Sequence, residues 1–256
     1  MQSMKWRMLE LGGGKVDTSD PDQFRLTIPG KPRGYADAQI DDTQELARKH
    51  FKWDPPVHVK VQARVTPGSP VGTFGFGFWN DPFTLSLGMK GAARRLPLPP
   101  QALWFFYASP PNDIQLTKGG LGLGWKAMSL RSPHLPSFLT LPPAILALGL
   151  VQVRLFRRTL MRTAQSMIRV SDAQLLHPVS DWHTYEIAWE DSLARFKVDD
   201  AEVMATEYPP TGPLGFVAWI DNQYAIASPE GGFRFGVVPT DQVQVLELKG
   251  LDIYPS

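Results

Sequence analysis

Residues 182–199 read Trp182-His-Thr-Tyr-Glu-Ile-Ala-Trp-Glu-Asp-Ser-Leu-Ala-Arg-Phe-Lys-Val-Asp199, and this stretch decides the fold. Two runs alternate against their neighbours, Tyr185/Ile187/Trp189 and Leu193/Arg195/Lys197, with Glu190-Asp191-Ser192 between them. Alternation of period two, carried by aromatic and β-branched residues around a short polar turn, predicts a β-hairpin.

The same pattern extends outward. Val57 to Val65 is the cleanest strand, with Val57, Val59, Val61, Ala63 and Val65 on one face and His58, Lys60, Gln62 and Arg64 on the other. Further strands are predicted at 24–28, 35–40, 71–79, 102–109, 124–130, 214–221, 233–238 and 243–253, and a short helix over 43–51. The chain has 256 residues, 43% of them hydrophobic, which suffices for the core of one β-sandwich domain spanning 1–256. Abundant Pro (24) and Gly (22) fit many short strands joined by turns. A net charge of +1 asks for no nucleic acid, and the lack of cysteine excludes disulfides and thiolate metal sites. No apolar signal core follows Met1, so a cytoplasmic location is expected, although a leader removed before Met1 would leave the same sequence.

One segment departs from the strand pattern. Between 132 and 170 a helical insertion is expected, with Ile145, Leu148, Leu155, Phe156 and Leu160 at helical spacing within 141–167 and Arg154, Arg158 and Arg162 on another face. It reads as a helix packed on the sandwich, a lid over a ligand, or a peripheral membrane contact. Its uncharged part is shorter than the ~20 residues of a bilayer crossing.

The hairpin, together with Gln62-Ala-Arg-Val65 and Gly72-Thr-Phe-Gly-Phe-Gly-Phe-Trp79, resembles glycoside hydrolase family 16 and the wider concanavalin A-like lectin/glucanase group. Asp200 stands where that family usually has Gly. The resemblance implies an all-β fold: a two-sheet antiparallel jelly-roll sandwich with one inserted amphipathic helix. It also implies a Glu-x-Asp-x-x-Glu strand after the one ending at Trp79. The corresponding strand, Leu103-Trp-Phe-Phe-Tyr-Ala-Ser109, has no carboxylate, and retaining chemistry needs two ~5 Å apart.

No catalytic residue, metal ligand or cofactor is therefore assigned. Trp79-Asn80-Asp81 and Trp219-Ile220-Asp221-Asn222 each place a Trp and an Asp on one face, where indoles stack on sugars and Asp and Asn bond hydroxyls. The same residues also serve as turn formers at strand ends, and such Asp residues can hold a structural cation. With Tyr107, Gln62 and Arg64 they make up the expected ligand-binding set. The leading expectation is a noncatalytic binding module for a carbohydrate. One alternative is a binder of an apolar small molecule or lipid beneath a helical lid, drawing on Phe74, Phe76, Phe78, Trp104, Phe105, Phe106, Tyr107, Phe216 and Trp219, half of which must face the core. Another is a glycoside hydrolase with relocated carboxylates, Asp81 and Asp221.

Overall fold

The structure is a computed structural model, and it describes residues 5–43, 46–81, 98–114, 122–133, 168–228 and 232–255. In chain order the strands are β1 (Arg7–Leu11), β2 (Lys15–Asp17), β3 (Gln23–Ile28), β4 (Asp37–Asp41), β5 (Val57–Thr66), β6 (Thr73–Trp79), β7 (Ala102–Ala108), β8 (Asp113–Ile114), β9 (Gly124–Arg131), β10 (Arg169–Gln174), β11 (His183–Trp189), β12 (Ala194–Val198), β13 (Ala201–Thr206), β14 (Gly215–Asp221), β15 (Gln223–Ser228), β16 (Gly232–Val237) and β17 (Gln244–Pro255). Sheet I runs β1-β4-β14-β6-β7-β9-β10, sheet II runs β13-β12-β11-β5-β17-β3-β2, and a small third sheet runs β16-β15-β8. Sheets I and II are antiparallel and stack face to face as a jelly-roll sandwich. Among the described residues the brief β8–β15 pairing is parallel.

The strands form where the alternation lies. On β5 the valines and Ala63 are buried while Lys60 and Gln62 stay in solvent. The β11–β12 hairpin adds to that edge in register, with Tyr185 opposite Val61, Ile187 opposite Val59 and Trp189 opposite Val57. The backbone N–H of Glu190 donates to the Leu193 carbonyl at 2.8 Å and closes the turn. On β12 the buried set is Ala194, Phe196 and Val198, which leaves Arg195 and Lys197 pointing outward.

Aromatic rings from both sheets meet in the core. Tyr185 of sheet II contacts Phe76 and Phe105 of sheet I edge-on, at 5.2 and 4.9 Å between centroids. Phe196 meets Phe105 at 5.4 Å, and Trp189 meets Phe78 at 5.7 Å. Burying each large ring contributes roughly 1.5–3 kcal/mol, and the edge contacts add to it.

Two expectations need comment. Over 43–51 the described residues hold only a 3-10 turn, Arg48–His50, and its N-cap position is Ala47, which makes no side-chain cap. Without a capping oxygen and with only one turn of length, a helix has little to hold it. The helix expected within 132–170 falls on 134–167, outside the described residues. Its flanks are strand: β9 ends at Arg131, and β10 starts at Arg169 paired directly with it. Arg131 and Arg169 thus lie side by side in sheet I. Among the described residues no helix is long and apolar enough to cross a membrane.

The inter-sheet aromatic layer should dominate stability. Phe105→Ala is expected to cost about 3–5 kcal/mol in denaturant unfolding. Lys197→Ala, on the outer face of β12, should stay within about 0.5 kcal/mol. Similar losses at both positions would contradict this division of the two faces.

Candidate functional site

Period two fixes what the outer face of sheet I presents. On β6 the Phe74, Phe76 and Phe78 rings enter the core, so Thr73, Gly75, Gly77 and Trp79 face outward. On β7 the outward residues are Ala102, Trp104, Phe106 and Ala108, and on β14 they include Val217, Trp219 and Asp221. Gly77 lies between Trp104 and Val217, and Gly75 between Phe106 and Trp219. The flanking rings lean over these side-chain-free positions and meet. Trp104 and Trp219 are 5.5 Å apart between centroids, and Trp104 and Phe106 are 5.6 Å apart. Trp79 and Trp219 lie parallel within 10° at 6.3 Å. A Cβ on Gly75 would sit 2.7 Å from the Trp219 ring and 2.5 Å from the Phe105 carbonyl oxygen, so only glycine permits the convergence.

The result is an aromatic shelf of Trp79, Trp104, Phe106 and Trp219, continued by Met128 and Leu130 of β9. Trp79 and Trp104 are half-buried, yet their indole Nε1–H groups are shielded from water and have no acceptor. A third indole in that state, Trp189, lies in the sandwich core instead. Trp219 differs: its Nε1–H donates to Thr73 Oγ1 at 3.0 Å, and that hydroxyl donates to Asp221 Oδ1 at 2.8 Å. At the shelf's other edge the ammonium of the fully buried Lys126 stands 5.7 Å from the Phe106 ring, and burial holds its pKa below the usual lysine range.

The residues expected to bind ligand are thus divided. Trp79 and Trp219 come together on the shelf, and β7 supplies Trp104 and Phe106. Tyr107 points into the core side, stacked on Phe74 at 4.8 Å with its hydroxyl donating to the Pro70 carbonyl. Asn80 bonds Pro99 and Gln101 through its side chain, and Arg48 donates to its carbonyl. Asn222 is tied to Ala36, Gly34 and Val238. Both asparagines are therefore structural clamps. Gln62 and Arg64 lie on the outer face of sheet II, on the far side of the sandwich.

Asp81 and Asp221 do not form a pair. β6 and β14 are antiparallel, with Asp221 opposite Thr73 and Gly215 opposite Trp79. The two carboxylates stand at opposite ends, roughly 25 Å apart at the strand rise of ~3.3 Å per residue. They can share neither a substrate nor a cation. The carboxylate that does neighbour Asp221 is Asp37, its register partner on β4. Asp37 Oδ1 is buried without a hydrogen-bond partner, whereas Asp41 on the same strand is paired with Arg7 at 2.7 Å. Burial, then the neighbouring carboxylate of Asp221, raises the Asp37 pKa well above the carboxylate range. Burial lifts Asp221 to about 6, against the hydrogen bonds from Thr73, Gln223 and Tyr35 that favour its charge. Asp37 lies in the predicted strand 35–40, but only strand pairing reveals that it faces Asp221.

No protein-family profile matches the chain, and no curated protein matches it. Solved structures similar in chain path include a native glycosidic hydrolase (14% identity, covering 100% of this chain and 92% of that one, TM-score 0.48). Two others are a Bacillus licheniformis beta-glucanase (10%, 100% and 94%, 0.46) and a Bacteroides ovatus mixed-linkage glucan GH16 protein in complex with a product (8%, 99% and 96%, 0.47).

Two outcomes follow from this geometry. Gly75→Ala should displace Trp219 and lower the melting temperature, with a loss of near-ultraviolet dichroism from the shelf indoles; an unchanged spectrum would refute the close approach. Asp37 and Asp221 have raised folded-state pKa values, so the stability they allow is fully present below the unfolded value of 3.8 and is lost as pH rises, through about 6 for Asp221 and through the raised value of Asp37. Asp37→Asn should therefore melt above the parent at pH 8, with the gap closing toward pH 4. A variant that melts below the parent at pH 8 would show that the charged form of Asp37 is favourable.

Proposed function

We propose that the protein is a noncatalytic carbohydrate-binding module, with the aromatic outer face of sheet I as its binding surface. The observation that carries this reading is the convergence of four aromatic rings, Trp79, Trp104, Phe106 and Trp219, on one shelf, with the Trp79 and Trp104 rings part-exposed. Sugar rings present C–H faces that stack on indole and hydroxyl oxygens that accept hydrogen bonds.

The same strand argues against turnover. Where hydrolysis on this face would need carboxylates about 5–9.5 Å apart, β7 carries Trp104 and Phe106. Asp37 and Asp221 are neighbours, but they are 3% and 5% exposed, and Asp221 Oδ1 is fully engaged by Thr73 and Gln223. Neither can reach a glycosidic oxygen.

Calorimetric titration with laminarihexaose, cellohexaose and xylohexaose should show binding by at least one of them. Trp104→Ala and Trp219→Ala should each weaken it by about 2 kcal/mol, the scale of a hot-spot aromatic. None of the polymers laminarin, lichenan, agarose or carrageenan should release reducing sugar. Laurate binding in place of sugar would transfer the surface to an apolar ligand. Turnover that disappears in Asp221→Asn would make the protein an enzyme.

A further inference from the structure

The outer face of sheet II holds a cavity of about 550 Å³, on the opposite side of the sandwich from the aromatic shelf. A β-bulge forms part of its wall. Between Lys249, which pairs with Gln62, and Asp252, which pairs with Lys60, β17 carries two residues, Gly250 and Leu251, opposite the single Val61. Gly250 takes a φ of 59°, a left-handed conformation suited to glycine. Its N–H donates to the Asp22 carbonyl at 3.0 Å and pins the 20–22 loop as the opposite wall.

Both lysines that line this cavity are held in place. Lys60 Nζ is paired with Glu186 at 2.6 Å, and the Lys249 ammonium rests 4.2 Å from the centre of the Trp182 ring. Facing them are the carboxylates of Asp20, Asp22 and Asp252 and the Gln62 amide, with Asp20 Oδ1 accepting from the Asp22 N–H at 3.0 Å. Donors and acceptors are interleaved. A simple anion would meet the aspartates, and a metal ion would meet the lysines. Among the described residues no group of three His, Asp or Glu is placed to hold a metal ion. A vicinal diol is donor and acceptor at once and fits both signs. The volume lies within the ~300–1,000 Å³ of small-ligand sites.

The geometry points to a second binding site here, for a neutral polyhydroxylated ligand such as a sugar unit, independent of the shelf. Two sites on opposite faces would let one molecule engage two chains of a polymer.

Nitrogen-15 NMR titration with glucose, laminarihexaose, cellohexaose and xylohexaose tests the site. Saturable shifts are expected at the Gly250 backbone amide and the Gln62 side-chain amide with at least one of these sugars. Asp252→Ala, at an exposed position that should leave the melting temperature unchanged, should weaken that response about tenfold or more, the scale of one lost hydrogen bond to a charged group. Trp104→Ala should leave it intact. Absence of saturable shifts with all four sugars overturns the proposal. So does a response removed by Trp104→Ala but not by Asp252→Ala, because that pattern belongs to the shelf alone. Shifts of these amides with calcium chloride but not with sugar would make the cavity a cation site and overturn it too. If the outer amides respond while the shelf indoles do not, this site stands and the shelf reading falls.

Discussion

The absence of side chains at Gly75 and Gly77 is the constraint on which sheet I depends. β6 reads Thr-Phe-Gly-Phe-Gly-Phe-Trp, so every inward position is a large ring, and the two middle outward positions are bare. The inward rings build the layer against sheet II, through Tyr185, Phe196 and Trp189. The bare positions let Trp104 and Trp219 meet across a strand that would otherwise hold them apart. One run of seven residues thus gives the sheet two aromatic faces. An ordinary surface sheet shows one apolar and one polar face. On this second face Val217, Ala108, Met128, Leu130, Phe106 and Trp219 are buried as well, and Trp79 and Trp104 are part-exposed.

Much of this was legible from alternation alone. β5 and the β11–β12 hairpin lie where the sequence places them, because a one-residue slip would expose Val57, Val59 and Val61 together. What alternation cannot supply is which face of a strand looks inward relative to its neighbours. Tyr107 and Phe106 are adjacent and equally aromatic, yet one ends in the core layer and the other on the shelf. Gln62 and Trp219 each sit on an outer face, but of different sheets. Asn80 and Asn222 look the same as exposed turn asparagines in sequence; their clamping partners, Pro99 and Gln101 for one and Gly34 and Val238 for the other, come from distant segments. The β10 and β13 strands, Arg-Val-Ser-Asp-Ala-Gln and Ala-Glu-Val-Met-Ala-Thr, lie at the two sheet edges and carry little hydrophobic signal.

Titratable groups inside the sandwich act in opposite directions. Asp37, Asp42 and Asp221 are held toward the protonated form, chiefly by burial, so their contribution to stability fades as pH rises, through about 6 for Asp42 and Asp221. His177 is the reverse. Its Nε2 accepts from the Trp125 indole at 3.1 Å and bonds the Tyr185 hydroxyl at 2.8 Å. An indole N–H can only donate, so that nitrogen must be unprotonated, and Tyr185 is then the donor to it. Burial and the nearby His183 lower the His177 pKa, so its contribution is present above the unfolded value of 6.5 and is lost as pH falls below it. The two sets oppose each other across the same interval, and the carboxylates at the β4–β14 end are the more deeply buried.

The outward positions of β7 show why the two chemistries of such a face exclude one another. A general acid and a nucleophile must project from a strand with nothing bulky between them, and each needs water or a hydrogen-bond donor to tune it. Trp104 and Phe106 occupy successive outward positions, and their rings stack at 23°, which leaves no polar lining between them. Replacing either with Glu would bury a carboxylate against Met128, Trp219 and the Lys126 ammonium, where burial and the cation pull its pKa in opposite directions. An aromatic floor, by contrast, needs no titrating group and gains from the close approach that the glycines allow. On β7 the outward positions supply contact area, through rings that meet Trp79 and Trp219.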